Sequence, residues 1–370
     1  MVRSRALLFL LLLPACTRSH DTEAGFAVEP IEGEDEEMLG SCAEQMEDSL
    51  DGLPVDLECT GLYSDIAKQK LGKGVETFTP AYKLWSDNSG KARWIKLPEG
   101  EQIDTSNMRS WSFPVGTKLW KEFRANDKRA ETRLYQKVRD DLWRKTTYEW
   151  SKDQKSAKRL DTGNTRVING VNYEIPKAGT CNDCHEGNRD NVLGFEAVSL
   201  GLPGADQAGL TLQKLVDLGW LSDPPESTEL KIGDDGTGKV ADALGWLHIN
   251  CGVTCHNAGV NSEAETTGLR MKLDPAELDG RPVNDFEVLK LLVNVDAKTN
   301  QWVGKKRIVP GNAEESLLYQ LITTRVGIDS NKQMPPLLTR IVDEEHANKI
   351  KDWINAMKPV ETAATETGPQ

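Results

Sequence analysis

Two pairs of cysteines, each next to a histidine, constrain the fold of this 370-residue chain more than any other feature. The first pair stands in the run Cys181-Asn182-Asp183-Cys184-His185. The second stands in Cys251-Gly252-Val253-Thr254-Cys255-His256, which has three residues between its cysteines instead of two. Any fold of the chain must therefore bring two thiols and an imidazole together on one turn at two places.

The pattern Cys-x-x-Cys-His is the attachment signature of c-type haem. Two thiols on one helical turn can bond the two vinyl groups, and the adjacent histidine then lies under the iron as its proximal ligand. A structural zinc ion is the main alternative, but it needs four Cys or His ligands with paired spacing. A thioredoxin-like pair would need a surrounding βαβ pattern. We therefore predict haem attachment at Cys181 and Cys184, with His185 as an iron ligand.

The second cluster predicts the same chemistry on a distorted turn. Positions i and i+4 share a helix face, so Cys251 and Cys255 can still face one haem, but the extra residue requires a local bulge. His256 is the expected axial ligand of this iron. Met334, followed by two prolines on a loop before the last helix, is the expected sixth ligand, and methionine ligation raises the reduction potential. The alternative for Met334 is a residue that fills a gap in the core.

The sequence offers no evident second ligand for the iron at His185. No methionine lies between residues 186 and 270, and no histidine lies between residues 186 and 247. The candidates are His248, Met271 and Met108, and the alternative is an iron with an open position. His248 precedes the second cluster by one turn, where packing in the core is the other interpretation.

The N-terminus indicates export. Residues 1–15 contain two arginines and an apolar run that is too short to span a bilayer as a helix, which is the pattern of a signal peptide. Residues 13–16, Leu-Pro-Ala-Cys, resemble the lipobox of bacterial lipoproteins, which implies that Cys16 carries lipid. Because Thr17 rather than Asp follows, we expect an outer-membrane anchor facing the periplasm or the cell surface. An ordinary signal peptide that ends near a cysteine is the alternative.

Charge is distributed unevenly along the chain. Residues 17–60 contain 14 acidic residues and one basic residue, residues 61–180 contain 24 basic and 15 acidic residues, and residues 181–370 contain 18 basic and 29 acidic residues. The net charge of −13 argues against nucleic-acid binding, which needs a basic surface. Residues 16–60 are predicted to form an acidic tether. An oxidising compartment favours a disulfide between Cys42 and Cys59, and two unpaired thiols are the alternative.

Hydropathy patterning predicts an α+β chain of several domains. Residues 61–178 are expected to form an all-β, sandwich-like domain with strands at 94–97, 118–124, 132–138 and 142–150 and a hairpin around Asn169-Gly170. Helices are expected at 212–218, 240–249, 286–295, 310–321 and 343–357. These place a first haem segment at 179–235, a cytochrome c domain at 236–358 and a tail at 359–370. Six tryptophans are expected to fill the β core, with an exposed aromatic surface as the alternative: Trp85, Trp94, Trp111, Trp120, Trp143 and Trp150.

Several motifs carry a resemblance to known families over residues 60 to 358. Residues 246–256, 268–270, 308–312, 316–318, 334–336 and 353–354 resemble the cytochrome c domain of planctomycete and myxobacterial exported proteins. Residues 84–87, 113–123, 131–133 and 193–196 are similar to an uncharacterised family of bacterial dihaem c-type cytochromes. The resemblance implies two covalently attached haems c and electron transfer. It also implies a helix crossing at Gly245, Trp246 and Trp353. The departure is the three-residue gap of the second cluster.

These expectations leave three classes of function. With both irons six-coordinate, the protein is an electron carrier that serves an unidentified redox partner protein. With an open first iron, it is a dihaem peroxidase-like oxidoreductase. In the third class, the basic β-rich domain binds an anionic glycan or cell-wall polymer and carries the cytochrome as cargo. No catalytic residue is predicted. Opposite charges favour the β-rich domain lying against the acidic haem region or against an acidic partner.

Overall fold

The fold is taken from a computed structural model, which describes residues 42–47, 51–168, 170–185, 190, 192–204, 209–259, 262, 264–327 and 332–359. The predicted signal peptide, the lipidation residue Cys16, residues 17–41 of the predicted tether and residues 360–370 of the predicted tail lie outside the described residues. No helix within the described ranges is long and apolar enough to cross a membrane.

Strands dominate the first half of the described chain and helices the second, which confirms the α+β class. The strands are β1 (Tyr63–Asp65), β2 (Lys70–Leu71), β3 (Glu76–Thr77), β4 (Gly90–Lys96), β5 (Lys118–Ala125), β6 (Lys128–Arg139), β7 (Leu142–Trp150), β8 (Ala157–Arg159), β9 (Asn164–Ile168) and β10 (Val171–Ile175). The α-helices are α1 (Cys42–Glu47), α2 (Asn182–His185), α3 (Ala197–Gly201), α4 (Leu212–Asp217), α5 (Val240–Leu247), α6 (Glu287–Leu292), α7 (Leu317–Thr323) and α8 (Glu344–Ala356).

A six-stranded antiparallel sheet, in the order β3-β4-β5-β6-β7-β8, forms the centre of the fold. The turn between β5 and β6 uses Asn126 and Asp127 with φ of 44° and 65°, as a tight hairpin turn requires. The predicted sandwich is wrong, because the other sheets of the described residues, β1-β2 and β9-β10, have two strands each. Alternating side chains predicted a sheet with buried faces, but they did not identify the layers that cover it.

An N-terminal segment covers one face of the sheet. Leu53 and Leu57 are fully buried and pack in one core with Trp94, Trp120 and Trp150. The prediction that the acidic tether extends to residue 60 is therefore wrong for residues 51–60, because a few apolar side chains anchor this segment on the sheet despite its acidic composition. Cys42 and Cys59 form the expected disulfide, with their Cα atoms 5.1 Å apart.

Helices cover the other face of the sheet. Trp111 and Trp143 pack in a single apolar core with Phe195, Leu244 and Trp353, so this core crosses each predicted domain boundary after residue 61. All described residues belong to one compact unit, Ser41–Gln370. Five of the six tryptophans fill cores as predicted, and Trp85 is the half-buried exception.

Two helical details differ from the sequence predictions. The helix expected at 310–321 begins only at Leu317, because Gly311 has φ of 80° and a turn pairs Val309 with Asn312. Helices α5 and α8 pack against each other, as the resemblance implies. However, the ring above Gly245 belongs to Tyr82: a Cβ on Gly245 would lie 2.1 Å from Tyr82 Cε2.

Candidate functional site

A π-helical turn carries the second cysteine cluster. Helix α5 continues into the π-helix His248–Gly252. Val253 N donates to His248 O (2.7 Å), and His256 N donates to Cys251 O (2.7 Å). Both hydrogen bonds span five residues instead of four, so the turn absorbs the additional residue between the cysteines. The bulge expected from the spacing is confirmed, and such insertions are frequent at functional sites.

A crossing segment fixes the orientation of the histidine. His256 Nδ1 lies 3.2 Å from Leu269 O, and because a carbonyl oxygen only accepts, Nδ1 carries the proton. The Nε2 lone pair is then available to a metal, and this arrangement is usual for histidine ligands. Burial lowers the pKa of His256 to about 4, so the imidazole is neutral at physiological pH.

Glycine is required where the same crossing segment approaches the cluster. A Cβ on Gly252 would lie 2.4 Å from Lys272 N, and Met271 N donates to His256 O (2.8 Å). The close backbone approach brings residues 269–272 under the cluster and thereby supplies the carbonyl of Leu269. The sequence contained this glycine inside the three-residue gap, but only the fold identifies what it makes room for.

An apolar cavity lies beside this cluster. Cys251, Cys255, His256 and Met334 all line it, although Met334 is about 80 residues away in sequence. The cavity thus unites the four residues predicted for the second site, and its donor set of two thiols, one imidazole and one thioether fits a c-type haem.

Residues from the strand-rich half close this cavity, which sequence reasoning missed. Trp85 lines the cavity, its backbone N donates to Asn250 Oδ1 (2.6 Å) and its Nε1 donates to Ile341 O (2.9 Å). Asp87 accepts hydrogen bonds from the backbone N of Arg340 and of Ile341. The sequence singles out residues 84–87 only by a resemblance, whereas their role depends on contacts more than 160 residues away.

The first cluster lies against the central sheet. Cys181 ends a 3₁₀ turn, and Cys184 and His185 belong to α2. The His185 ring is tilted by 32° against the ring of Tyr135 on β6, with their centroids 4.7 Å apart. Burial and then the neighbouring Cys255 thiol raise the pKa of Cys184 to about 11, so the two clusters are within electrostatic range of each other.

The three residues considered as second ligands at the first cluster are engaged elsewhere. Leu273 N donates to His248 Nδ1 (3.0 Å), which leaves the proton on Nε2, and this atom donates to Glu196 Oε1 (3.1 Å). Met271 lines the apolar cavity beside the second cluster. Met108 Sδ accepts a hydrogen bond from the indole of Trp111 (3.4 Å). The packing interpretation of His248 therefore agrees with its contacts.

Glu196 joins the segment after the first cluster to the turn before the second. Its carboxylate accepts hydrogen bonds from Val198 N (2.8 Å) and Ser199 N (2.7 Å) at the start of α3, in addition to that from His248. Burial alone would raise the pKa of Glu196, but His248 and these hydrogen bonds lower it to about 2. The charged carboxylate therefore stabilises the folded state.

We expect Glu196→Gln to lower the free energy of unfolding at pH 7 by roughly 1.5–3 kcal/mol, because hydrogen bonds to a charged group contribute about this much and the pKa of Glu196 is depressed below 4.5. A carboxylate whose pKa is lower in the folded state than in the unfolded state stabilises the fold fully at pH values above the unfolded pKa. This stabilisation is lost as the pH falls through the folded pKa. The difference from the wild type should hence vanish between about pH 4.5 and pH 2. Denaturant unfolding at several pH values tests this, with exposed Glu226→Gln as control; a constant difference would contradict it.

Known proteins give no further guidance, because comparisons with protein-family models, curated proteins and solved structures found no match. Among the residues that the structure describes, no three His, Cys, Asp or Glu side chains converge as ligands of a metal ion.

Proposed function

We propose that this protein is an exported c-type cytochrome that carries two covalently attached haems and transfers electrons to or from a redox partner. The observation that carries the proposal is the apolar cavity lined by Cys251, Cys255, His256 and Met334. Haem iron supplies one-electron oxidation and reduction. The protein supplies attachment, two axial ligands and a surrounding that excludes water.

Each residue of the second site has a distinct role in this proposal. The thiols of Cys251 and Cys255 would hold the haem covalently, each by adding across one vinyl group so that sulfur gains a carbon bond and the thiol hydrogen goes to the other vinyl carbon. His256 binds iron through Nε2, because Nδ1 is held by Leu269 O. Met334 would supply its thioether sulfur as a second ligand of this iron. Cys181, Cys184 and His185 have the corresponding roles at the first site.

The closeness of the two clusters to each other supports electron transfer within the chain. Cys184 and Cys255 lie within electrostatic range of each other. A second candidate function, reduction of a small oxidant such as peroxide at an open first haem, is favoured by one observation: His248, Met271 and Met108 have other contacts. EPR of the oxidised protein separates the two, because an open haem gives a high-spin signal.

We expect the intact mass of the purified protein to exceed that of the polypeptide by two haems. The paired change Cys181→Ser and Cys184→Ser should remove one haem, and Cys251→Ser with Cys255→Ser should remove the other, since thioether bonds need both thiols. Mass spectrometry and haem staining of denaturing gels measure this. Cys42→Ser with Cys59→Ser is the control for loss of cysteines and should keep both haems. A wild-type protein without covalent haem would refute the proposal.

The location and partners of the protein form part of the same proposal. Export to an oxidising compartment is consistent with the disulfide between Cys42 and Cys59. We propose that lipid on Cys16 anchors the chain at the outer membrane and that the partner is another redox protein. No described surface favours glycan binding by an aromatic platform, because five of the six tryptophans in the strand-rich half are buried.

A further inference from the structure

Three cations stand side by side on the sheet face that covers the first cluster. Arg93 on β4 pairs with Lys121 on β5, and Lys121 pairs with Arg133 on β6. Directly paired residues of antiparallel strands project from the same face, with their Cβ atoms roughly 5 Å apart, and like charges in such pairs destabilise a sheet. The row is therefore unfavourable unless anions lie against it.

The described part of the chain supplies some of that negative charge. Arg133 is held by Glu131, with Nη2 2.6 Å from Oε1. Arg93 is only 6% exposed and Lys121 is partly buried, yet neither side chain makes a hydrogen bond or an ion pair within the described part of the chain. Buried charges in proteins are otherwise paired. Lys121 Nζ lies over the ring of Phe123, 5.0 Å from its centroid, and no described anion is paired with Arg93 or Lys121.

The row faces the attachment turn of the first cluster. Tyr135, two residues beyond Arg133, lies on the same sheet face and contacts the ring of His185. Arg133 acts electrostatically on Cys181, and Lys121 acts on Cys184. Burial, followed by the neighbouring Arg93, holds the pKa of Lys121 well below its ordinary value.

We propose that Arg93 and Lys121, together with Arg133, bind the two propionate carboxylates of the haem attached at Cys181 and Cys184. This inference rests on the proposed function and adds the residues that orient the first haem on the sheet. Two carboxylates match the two unpaired cations in charge, and guanidinium groups bind carboxylates through paired N–H donors. The other source of the same anionic chemistry is a free ion such as inorganic phosphate.

The test uses the full-length protein with both haems and the single variants Arg93→Gln and Lys121→Gln. Potentiometric titration should show that one midpoint potential becomes more negative while the other is unchanged, because loss of a nearby cation disfavours the reduced iron. Lys121→Arg should restore the wild-type value. Lys128→Gln, at the exposed beginning of β6, is the control and should change neither potential. Loss of only the first haem in the Gln variants, with recovery in Lys121→Arg, would equally support the proposal.

Two results would overturn the inference while the proposed function stands. In the first, both potentials are unchanged in Arg93→Gln and Lys121→Gln. In the second, adding inorganic phosphate to the wild type shifts the potential that these variants affect, which would mean that a free anion occupies the row. A wild-type protein without covalent haem would instead refute the proposed function, and intact mass distinguishes that case before any variant is made.

Discussion

Replacing Met334 by leucine should lower one midpoint potential by on the order of 0.1 V or more and leave the other unchanged, because methionine–histidine ligation raises the potential and axial ligands cover a span of about 0.8 V. Leucine keeps the volume and apolar character of methionine but has no sulfur to donate. The vacated position should then bind carbon monoxide in the reduced protein, and any weak far-red methionine–iron band should disappear.

The loop that carries Met334 is held by contacts that this substitution leaves intact. Met334 N donates to Leu321 O (2.9 Å). The neighbouring Gln333 is 1% exposed, and its side-chain oxygen accepts from Val326 N (2.8 Å) while its amide nitrogen donates to Thr339 O (3.3 Å). The loop conformation is thus fixed by its neighbours, and the variant should report on ligation without unfolding the site.

Met271→Leu provides the matched control, because Met271 lines the same cavity and is buried. It should preserve the potential, the far-red band and the resistance to carbon monoxide. Unchanged spectra in Met334→Leu would assign Met334 to the core, which was the alternative from sequence. Loss of the band in Met271→Leu instead would transfer the ligand role to Met271.

The local geometry of the second cluster could be predicted from the sequence, whereas the layers of the fold could not. A count of residues between Cys251 and Cys255 was sufficient to predict the bulge, because helix geometry is local. The partners of His248 and Trp85 could not be predicted in this way, since Glu196 and Asn250 lie 52 and 165 residues from them. The identity of a long-range partner depends on the whole topology, which no local pattern contains.

The average composition of residues 16–60 led to a prediction that is wrong for part of this segment. Residues 16–60 are strongly acidic, and this average predicted a tether. Leu53 and Leu57 nevertheless seal one face of the sheet, and an ion pair between Arg159 and Asp51 holds the same segment. A small number of buried side chains decides whether such a stretch folds.

Because the sheet and the helices share one core, the role of the strand-rich half cannot be tested by removing it. Charge asymmetry predicted that it would cover the first cluster, and the contact of Tyr135 with His185 agrees with this expectation. A fragment that begins near residue 178 would nevertheless expose Phe195 and Leu244, which are buried against Trp111 and Trp143. The contribution of the sheet must therefore be measured with point substitutions in the full chain.

A buried ion pair beside the first cluster offers the sharpest substitution of this kind. Lys137 Nζ lies 2.9 Å from Asp190 Oδ2 and 2.8 Å from Phe113 O, and the two charged side chains are 2% and 3% exposed. Asp190 also accepts a hydrogen bond from Ser112 Oγ (3.1 Å). The pair connects β6 to the chain five residues after His185.

Lys137→Ala or Asp190→Ala should lower the free energy of unfolding by about 3–5 kcal/mol, because each leaves an uncompensated buried charge. Arg139→Ala is the matched control on the same strand: its ion pair with Asp141 is exposed, so its removal should change stability little. Urea unfolding followed by circular dichroism measures both. The double change Lys137→Met with Asp190→Leu should recover much of the loss, since a well-packed apolar pair removes both charges. If Lys137→Ala were no more destabilising than Arg139→Ala, the pair would not anchor the first cluster to the sheet.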